Sequence, residues 1–299
     1  MENFLVEIGG LSVSLKLPVR SFQLEKSYLP FLVAATGEET SGWLVNRESI
    51  PRDLNSPSGA NPPFPRWEVE AGGEEKIFRV RRRSDSPRLW KAARMAADLS
   101  RGEIWNAGSA EEILFPLREL GRLLFAHFLL PRRGLLLHGA AARISGSGYI
   151  FPALSGGGKS TWAELMNTNP NWSVIAEDQV IVRAINGELR IFGTPWNPRR
   201  EFQKNASAPL KGIYFLHHGR ENSIRGREAA EIIPGLLQQA FLPFPDPSDL
   251  EEALSLLETM AGEIPAYDFG FRPEISAINY FQAALKNSTA GPARRRILA

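Results

Sequence analysis

Alternation of apolar and polar residues marks the first hundred or so positions of the chain as rich in β-strands. The segments Phe4 to Ile8, Leu11 to Leu15 and Trp67 to Glu70 show a period of two, or carry strand-forming residues between Gly, Pro and Asn breaks. No cluster of acids, bases or metal ligands stands out among them. We therefore expect a β-rich N-terminal region at residues 1–109.

Two further segments of that region carry distinctive composition. The basic run Arg79 to Arg83 is predicted to continue a strand whose charged face is solvated, rather than to form an anion site. The Pro-rich stretch Asn55 to Pro65 is predicted to be a loop.

A long amphipathic helix is predicted from Ala110 to Leu130. Its apolar residues recur at steps of three and four, as a helix with one buried face requires. These residues are Ile113, Leu114, Leu117, Leu120, Leu124 and Phe128. We expect the helix to link the N-terminal region to a second domain at residues 110–299.

That second domain shows strand and helix patterns in irregular order. The predicted strands are 135–137, 149–154, 174–176, 180–184, 189–192, 212–216 and 264–271, with a hairpin turn at Asn186-Gly187. One helix is predicted to begin near Ser160, and three more are predicted at 228–241, 248–261 and 273–285. The chain then ends in a predicted solvated tail at Arg294 to Arg296. Because strands and helices do not alternate regularly, we expect an α/β fold with a mixed sheet.

Composition narrows the class of protein only a little. The chain has 299 residues and is 43% hydrophobic, so it can build a large core. Its formal charge of +2 is nearly balanced and gives no net electrostatic field that would favour binding to nucleic acid or to an anionic membrane. It contains no cysteine, which excludes disulfides, a thiol nucleophile and a cysteine-zinc site.

The start of the chain and its apolar stretches point to a cytoplasmic location. Met1-Glu2-Asn3 is not the basic start of a signal peptide. The longest strongly apolar stretch, Leu123 to Leu130, is far shorter than the roughly 20 residues of a membrane helix. We expect a cytoplasmic protein.

The segment from Tyr149 to Thr161 carries the strongest functional signal, because an apolar strand leads into glycines, a lysine and two hydroxyls, and then into a helix. This pattern is typical of a phosphate-binding loop, with backbone N–H groups and the helix dipole directed at the anion. The first glycine of the full motif is replaced by Ala153. The predicted nucleotide-binding residues are Ser155, Gly156, Gly157, Gly158, Lys159, Ser160 and Thr161.

Candidate catalytic groups flank this loop in the sequence. Lys159 can reach the β- and γ-phosphates, and Ser160 can bind Mg²⁺. Glu177 and Asp178 follow an apolar strand pattern, so one carboxylate can hold the metal and the other can accept a proton from an acceptor hydroxyl. His138 closes the strand that precedes the hairpin leading into the loop.

Taken together, His138-Gly139, the Ser-Gly-Gly-Gly-Lys-Ser loop and the acidic pair resemble the HPr kinase/phosphorylase-related P-loop kinases. The order and spacing of His138, Lys159 and Asp178 are similar to that family's, and the resemblance covers about residues 110–285. Leu135 to Ala142 and the loop look most like the HPr-kinase-like protein of the SynChlorMet peptide-modification cassette.

The resemblance implies a mixed-sheet P-loop core similar to HPr kinase and phosphoenolpyruvate carboxykinase. It implies an ATP- and Mg²⁺-dependent kinase that acts on a serine of a small protein or ribosomal peptide. By the same resemblance, Lys159 binds phosphate, Ser160 and Asp178 hold Mg²⁺, Glu177 stands at the catalytic acid, and His138 positions the reacting phosphate. The implied partners are a precursor peptide and radical-SAM enzymes, and a homo-oligomer is compatible with the family.

Two departures keep a second reading open. The family's acidic pair is Asp-Asp, whereas Glu177 is one methylene longer, and the glycine-rich segment that marks true HPr kinases is replaced by Phe192 to Asn197. HPr itself is therefore not the expected substrate. Together with Ala153, Glu177 is the reason to consider a second function, a non-catalytic ATP-binding module that assists peptide-modifying enzymes. A small-metabolite kinase and a phosphorylase are third possibilities, and no residue of the sequence distinguishes them from the peptide kinase or from the non-catalytic module.

The segment that follows the acidic pair allows two readings of its own. Gly193 to Trp196 forms either part of an acceptor pocket or a β-turn with a core tryptophan. Arg199 and Arg200 either contact phosphate or an acidic peptide, or are ordinary surface charges.

Overall fold

A computed structural model describes residues 2–17, 26–34, 41–46, 49–54, 65–106 and 119–289 of the chain. The chain divides into two compact units, Met1–Pro131 with Leu242–Glu251, and Arg132–Phe241 with Glu252–Ala299. Most of the predicted loop at Asn55 to Pro65, residues 110–118 of the predicted long helix, and the tail at Arg294 to Arg296 lie outside the described residues.

The first unit contains a seven-stranded mixed sheet, which confirms the predicted β-rich region. The strands are β1 (Glu2–Ile8), β2 (Leu11–Leu17), β3 (Gly42–Asn46), β4 (Trp67–Gly72), β5 (Glu75–Arg81), β6 (Leu89–Ala96) and β7 (Arg101–Asn106). Their order is β1-β2-β3-β7-β6-β5-β4, with β3 parallel to both of its neighbours and the other pairs antiparallel. Short 3-10 helices lie at Lys26–Phe31 and Arg52–Leu54.

The prediction that the basic run forms a solvated charged face is wrong for two of its members. Arg79 and Arg81 are 4% and 1% exposed. Arg79 Nη1 lies 2.8 Å from a Glu70 carboxylate oxygen, and Arg81 Nη1 lies 3.1 Å from a Glu68 carboxylate oxygen. The acids on the adjacent strand β4 supply the opposite charges that burial of a guanidinium requires.

Helix α1 (Glu119–Leu129) belongs to the first unit and adds Phe125 and Phe128 to its aromatic core. Trp43 meets Phe125 and Phe128 edge-on, at ring-centroid distances of 5.5 and 5.8 Å. His127 is also buried, between the rings of Phe78 and Phe244, so the helix places a neutral imidazole in an apolar environment.

The second unit contains an eight-stranded mixed sheet with helices, so the α/β class with a mixed sheet is confirmed. The strands are β8 (Gly134–Ile144), β9 (Ser147–Pro152), β10 (Trp172–Ala176), β11 (Gln179–Ile185), β12 (Glu188–Phe192), β13 (Ser207–His218), β14 (Ser223–Gly226) and β15 (Ala266–Phe271). The helices are α2 (Lys159–Asn167), α3 (Ala229–Leu237), α4 (Pro247–Glu263) and α5 (Ile275–Thr289); α4 begins in the stretch assigned to the first unit. Short 3-10 helices lie at Leu130–Arg132 and Arg200–Phe202.

Two long strands of this sheet change partners along their length. The first half of β8 pairs with β11, and its second half pairs with β9 and β10. Strand β13 pairs in turn with β12, β9 and β15. The pairings β8-β11-β12-β13-β9-β8 therefore close into a ring. Because β10 pairs with the second half of β8 and β11 with the first half, the end of β10 and the start of β11 both lie next to the middle of β8.

Helices α2 and α5 share an aromatic core with the sheet. Trp162 of α2 is fully buried and lies against Phe151, Phe269 and Phe281, with centroid distances of 5.6, 4.9 and 5.5 Å. Aromatic burial of this extent fixes the orientation of α2 on the sheet. Among the described residues, no helix is both long enough and apolar enough to span a membrane.

Candidate phosphate-binding site

Four strands of the second unit end at the same edge of the sheet. Strands β9 and β10 are both antiparallel to β8 and so run in the same direction as each other. Strand β13 is parallel to β9, and β15 is parallel to β13. Ligands of α/β proteins collect outside the carboxyl ends of such strands, and the predicted loop and acidic pair both lie here.

The loop between β9 and α2 needs its glycines for conformation and for space. Gly156 and Gly158 have φ angles of 79° and 95°, in the left-handed region that side chains other than glycine's rarely adopt. A Cβ atom on Gly158 would lie 2.8 Å from the Phe271 ring, and one on Gly157 would lie 2.9 Å from Ala153 Cβ. The loop is therefore wound tightly against the ends of β9 and β15.

The N-terminus of α2 opens at this loop. Gly158 caps the helix without a side-chain hydrogen bond, and the Trp162 N–H donates to the Gly158 carbonyl at 2.8 Å. The N–H groups of Lys159, Ser160 and Thr161 precede that first helical bond and project beyond the helix end. Their partial positive charge and the helix dipole favour an anion at this position.

Lys159 folds back over the loop. Its Nζ donates to the carbonyl oxygens of Ala153 and Leu154, at 2.7 and 3.1 Å, and the residue is only 8% exposed. Burial lowers the pKa of Lys159, and the negative charge of Asp178 acts in the opposite direction. A buried ammonium held by neutral carbonyls gains electrostatic energy when an anion arrives.

His138 and Asp178 form a hydrogen-bonded pair beside the loop. The His138 ring Nε2 lies 2.5 Å from Asp178 Oδ1, and Gln179 Nε2 donates to Asp178 Oδ2 at 3.4 Å. Burial on its own would raise the pKa of Asp178, but the hydrogen bond and charge of His138, with smaller contributions from Gln179 and Lys159, hold that pKa below its usual range. Asp178 is therefore an ionised carboxylate with 31% of its side chain exposed.

The backbone of the acidic pair is fixed by one side-chain amide. Asn197 Oδ1 accepts from the N–H groups of Glu177, Asp178 and Gln179, at 2.9, 3.0 and 3.2 Å. Its Nδ2 donates to the Thr194 carbonyl at 3.0 Å, and the residue is 1% exposed. Asn197 is a structural residue of the site that the sequence did not reveal.

Glu177 is held by Arg199 rather than turned toward the loop. The Arg199 backbone N–H donates to Glu177 Oε1 at 2.7 Å and its Nε donates to Oε2 at 2.8 Å, while the Glu177 side chain is 2% exposed. Arg199 also lies 2.6 Å from a Glu164 carboxylate oxygen and 3.4 Å from the Ser160 carbonyl, both on α2.

A second histidine touches the loop from the end of β13. His218 Nε2 donates to the Gly156 carbonyl at 2.8 Å, and its ring stacks on Phe271 at a centroid distance of 6.1 Å. Sequence reasoning missed His218, which is the last residue of β13 and lies two residues beyond the predicted strand 212–216. The prediction that His138 closes its strand is wrong, because β8 continues to Ile144 and His138 lies near its middle, where the strand changes partners.

The structure thus brings Lys159, Asp178 and His138 together at the loop, with the Ser155 and Ser160 side chains exposed. Of the two readings of residues 193–196, the turn with a core tryptophan is observed: Thr194 is fully buried and Trp196 is 5% exposed. A Cβ on Gly193 would lie 2.1 Å from a backbone carbonyl oxygen, so this turn requires glycine.

The residues of the site fit a nucleoside triphosphate and Mg²⁺. The loop N–H groups and Lys159 are donors suited to phosphate oxygens, and the Ser160 hydroxyl and Asp178 carboxylate are oxygen ligands of the kind Mg²⁺ prefers. Within the described residues there is no group of three or more His, Asp or Glu side chains arranged to hold a metal ion. A shared site that also uses phosphate oxygens needs fewer protein ligands.

Comparison with known proteins finds similar solved structures but no similar family model or curated sequence. No family model matches the chain, and no curated protein matches it. The solved structure of the Hpr(Ser) kinase/phosphatase from Coxiella burnetii is similar to 52% of this chain and 99% of its own, with 12% identity and a TM-score of 0.32.

Proposed function

We propose that the second unit is an ATP- and Mg²⁺-dependent kinase that transfers the γ-phosphoryl group to a serine hydroxyl of a small protein or ribosomal peptide. The observation that carries the proposal is the position of Asp178. A partly exposed carboxylate, hydrogen-bonded by His138, follows β10 at the same edge of the sheet where the loop after β9 holds the buried ammonium of Lys159.

The triphosphate is held by the P-loop core. The N–H groups at the start of α2 and the Lys159 ammonium receive the phosphate oxygens, and Lys159 exchanges the carbonyls of Ala153 and Leu154 for them. Ser160 and Asp178 would hold the metal. When bound, Mg²⁺ neutralises phosphate charge and orients the phosphates.

Asp178 also serves the acceptor. Because its pKa is held low, it is ionised at neutral pH and takes up the proton of the serine hydroxyl as the oxygen of that hydroxyl bonds to the γ-phosphorus. His138 fixes the orientation of the carboxylate, because its ring Nε2–H donates a hydrogen bond to Asp178 Oδ1. ADP leaves as the bond between the γ-phosphorus and the bridging oxygen breaks.

We assign the acid–base role to Asp178 and not to Glu177. The Glu177 carboxylate is buried, and both of its oxygens accept hydrogen bonds from Arg199. A carboxylate in that position stabilises the local backbone and is shielded from an acceptor hydroxyl, whereas 31% of the Asp178 side chain is exposed.

The acceptor class rests on the sequence resemblance alone. It points to a small precursor peptide processed together with radical-SAM enzymes, in the cytoplasm, by a protein that can form homo-oligomers. The substrate to test is a precursor peptide encoded beside the gene for this chain.

A non-catalytic ATP-binding module is the alternative function. Lys159 already has two acceptors within its own loop, and Glu177 is occupied by Arg199. Such a module would bind nucleotide and present a peptide to partner enzymes without transferring phosphate.

Label transfer from [γ-³²P]ATP to the neighbouring precursor peptide separates the two. A kinase labels a serine of the peptide, and Asp178→Asn lowers the rate by about 10²-fold or more while nucleotide still binds. Nucleotide binding without label transfer by the wild-type protein would favour the non-catalytic module. Label on a residue other than serine would contradict the proposed acceptor.

A further inference from the structure

Arg199 joins two parts of the site that are far apart in the sequence. On one side it holds Glu177, the residue directly before Asp178. On the other it reaches α2, through the Glu164 carboxylate and the Ser160 carbonyl. The arginine therefore spans the gap between the helix that follows the phosphate loop and the acidic segment that follows β10.

We propose that Arg199 is a positioning residue that sets the separation between Ser160 and Asp178, the two proposed Mg²⁺ ligands. The role rests on the proposed function of the site. It extends that function by naming a residue that the reaction needs although it touches neither nucleotide nor metal.

The hydrogen bonds of Arg199 favour positioning over substrate contact. Each of its three guanidinium nitrogens has a protein acceptor: Nε has Glu177, Nη1 has Glu164 and Nη2 has the Ser160 carbonyl. A planar guanidinium holds its acceptors in a fixed relative geometry, which a flexible ammonium does not. Arg199 can thus fix both the distance and the angle between α2 and the acidic segment.

The burial of Glu177 strengthens the link. Its side chain is 2% exposed, so the carboxylate depends on Arg199 for its opposite charge. Asn197 anchors the N–H groups of the same segment, so Glu177 and Asp178 move together with Arg199 as one piece. A displacement of the arginine is therefore passed on to Asp178.

The test measures how Mg²⁺ changes the affinity for a non-hydrolysable ATP analogue, AMP-PNP, by calorimetry. The wild-type protein should bind AMP-PNP more tightly as MgCl₂ is added. In Arg199→Ala the affinity without Mg²⁺ should stay within about twofold, because the loop and Lys159 are intact, whereas the enhancement by Mg²⁺ should fall at least tenfold, the loss of about 1.4 kcal/mol of coupling. Arg199→Lys should show an intermediate enhancement.

Two further variants separate positioning from general stability. The matched control is Arg190→Ala, because Arg190 is also ion-paired and is 29% exposed against 32% for Arg199, but lies on β12. It should keep the wild-type enhancement. The double variant Glu177→Gln with Arg199→Gln removes the buried charge along with its partner, so it reports on the link even if Arg199→Ala unfolds, and it should also lose the enhancement.

The outcomes distinguish this role from the function on which it rests. If the wild-type protein shows no Mg²⁺-dependent binding of AMP-PNP, the proposed function fails and the positioning role fails with it. If the wild-type protein shows such binding and the folded Arg199 variants retain its full Mg²⁺ enhancement, the positioning role alone is overturned.

Discussion

Replacement of Asn197 by alanine tests whether the site is built as described. Asn197 Oδ1 accepts three consecutive N–H groups, and two of the residues that own them, Glu177 and Gln179, are 2% and 7% exposed. Alanine offers no acceptor. The buried N–H groups then keep their desolvation penalty without a compensating hydrogen bond.

The size of the effect follows from the number of groups left without a partner. Each buried donor or acceptor that loses its partner costs about 1–3 kcal/mol, and water can reach the N–H of the more exposed Asp178. The Thr194 carbonyl loses a donor as well. We expect Asn197→Ala to lower the free energy of unfolding by roughly 3–5 kcal/mol, a large part of the 5–15 kcal/mol typical of a domain.

The assay is urea unfolding followed by tryptophan fluorescence, since Trp196 precedes the substituted residue. With a denaturant slope of about 2 kcal/mol per molar, the midpoint should fall by roughly 2 M. Asn169→Ala is the matched control, because Asn169 accepts one N–H, that of Asn171, in an exposed turn. If Asn197→Ala shifts the midpoint no more than Asn169→Ala does, the proposed anchoring of the acidic pair is incorrect.

Three other predictions concern stability and pH. Burial, with a smaller contribution from Lys76, lowers the pKa of His127 to about 4, so the ring stays neutral in the folded state while the unfolded chain takes up a proton below pH about 6.5. The free energy of unfolding should therefore fall between pH 6.5 and 4 by up to about 3 kcal/mol more than it does in His127→Gln. Parallel curves of unfolding free energy against pH for the two proteins would exclude this cause. Gly193→Ala should lower the free energy of unfolding by more than about 2 kcal/mol, because the added Cβ would lie 2.1 and 2.7 Å from two backbone carbonyl oxygens. Gly262→Ala is the control: it adds a methyl group to open space on a helix, so thermal melts should show unchanged or higher stability. Because the pKa of Lys159 is lowered, chiefly by burial, affinity for a triphosphate should fall as pH rises through that pKa, and titration calorimetry should find this dependence absent in Lys159→Met.

The local parts of the site could be predicted from the sequence. The loop, the strand before it and the helix after it are adjacent in the chain, and their residue types report directly on their conformation; α2 begins at Lys159, one residue from the predicted start. The hairpin at Asn186-Gly187 is of the same kind, with both φ angles positive, at 51° and 78°.

The long-range contacts could not be predicted. The contact between His138 and Asp178 depends on the change of partner within β8, and the order of residues along the chain does not encode it. Asn197 and Arg199 take their roles only because the turn at Gly193 folds back onto the end of β10. In the sequence alone, such residues cannot be distinguished from the polar residues of any other loop.

The first unit shows how pairing overrides composition. Strand β6 (Leu89–Ala96) contains three alanines with no regular alternation, and it is a strand because β5 and β7 pair with its two edges. The burial of Arg79 and Arg81 has a related cause, since the acids that allow it lie on another strand, β4.

The most direct test of the central claim is titration calorimetry of ATP with Mg²⁺ against the wild-type protein and Lys159→Ala. Lys211→Ala is the control, because Lys211 is 53% exposed and lies on β13. We predict that the wild-type protein and Lys211→Ala bind ATP with equal affinity and that Lys159→Ala loses at least about tenfold, or roughly 1.4 kcal/mol. Equal affinity of all three proteins for ATP, or no binding by any of them, would contradict the assignment of residues 153–161 as a phosphate-binding loop.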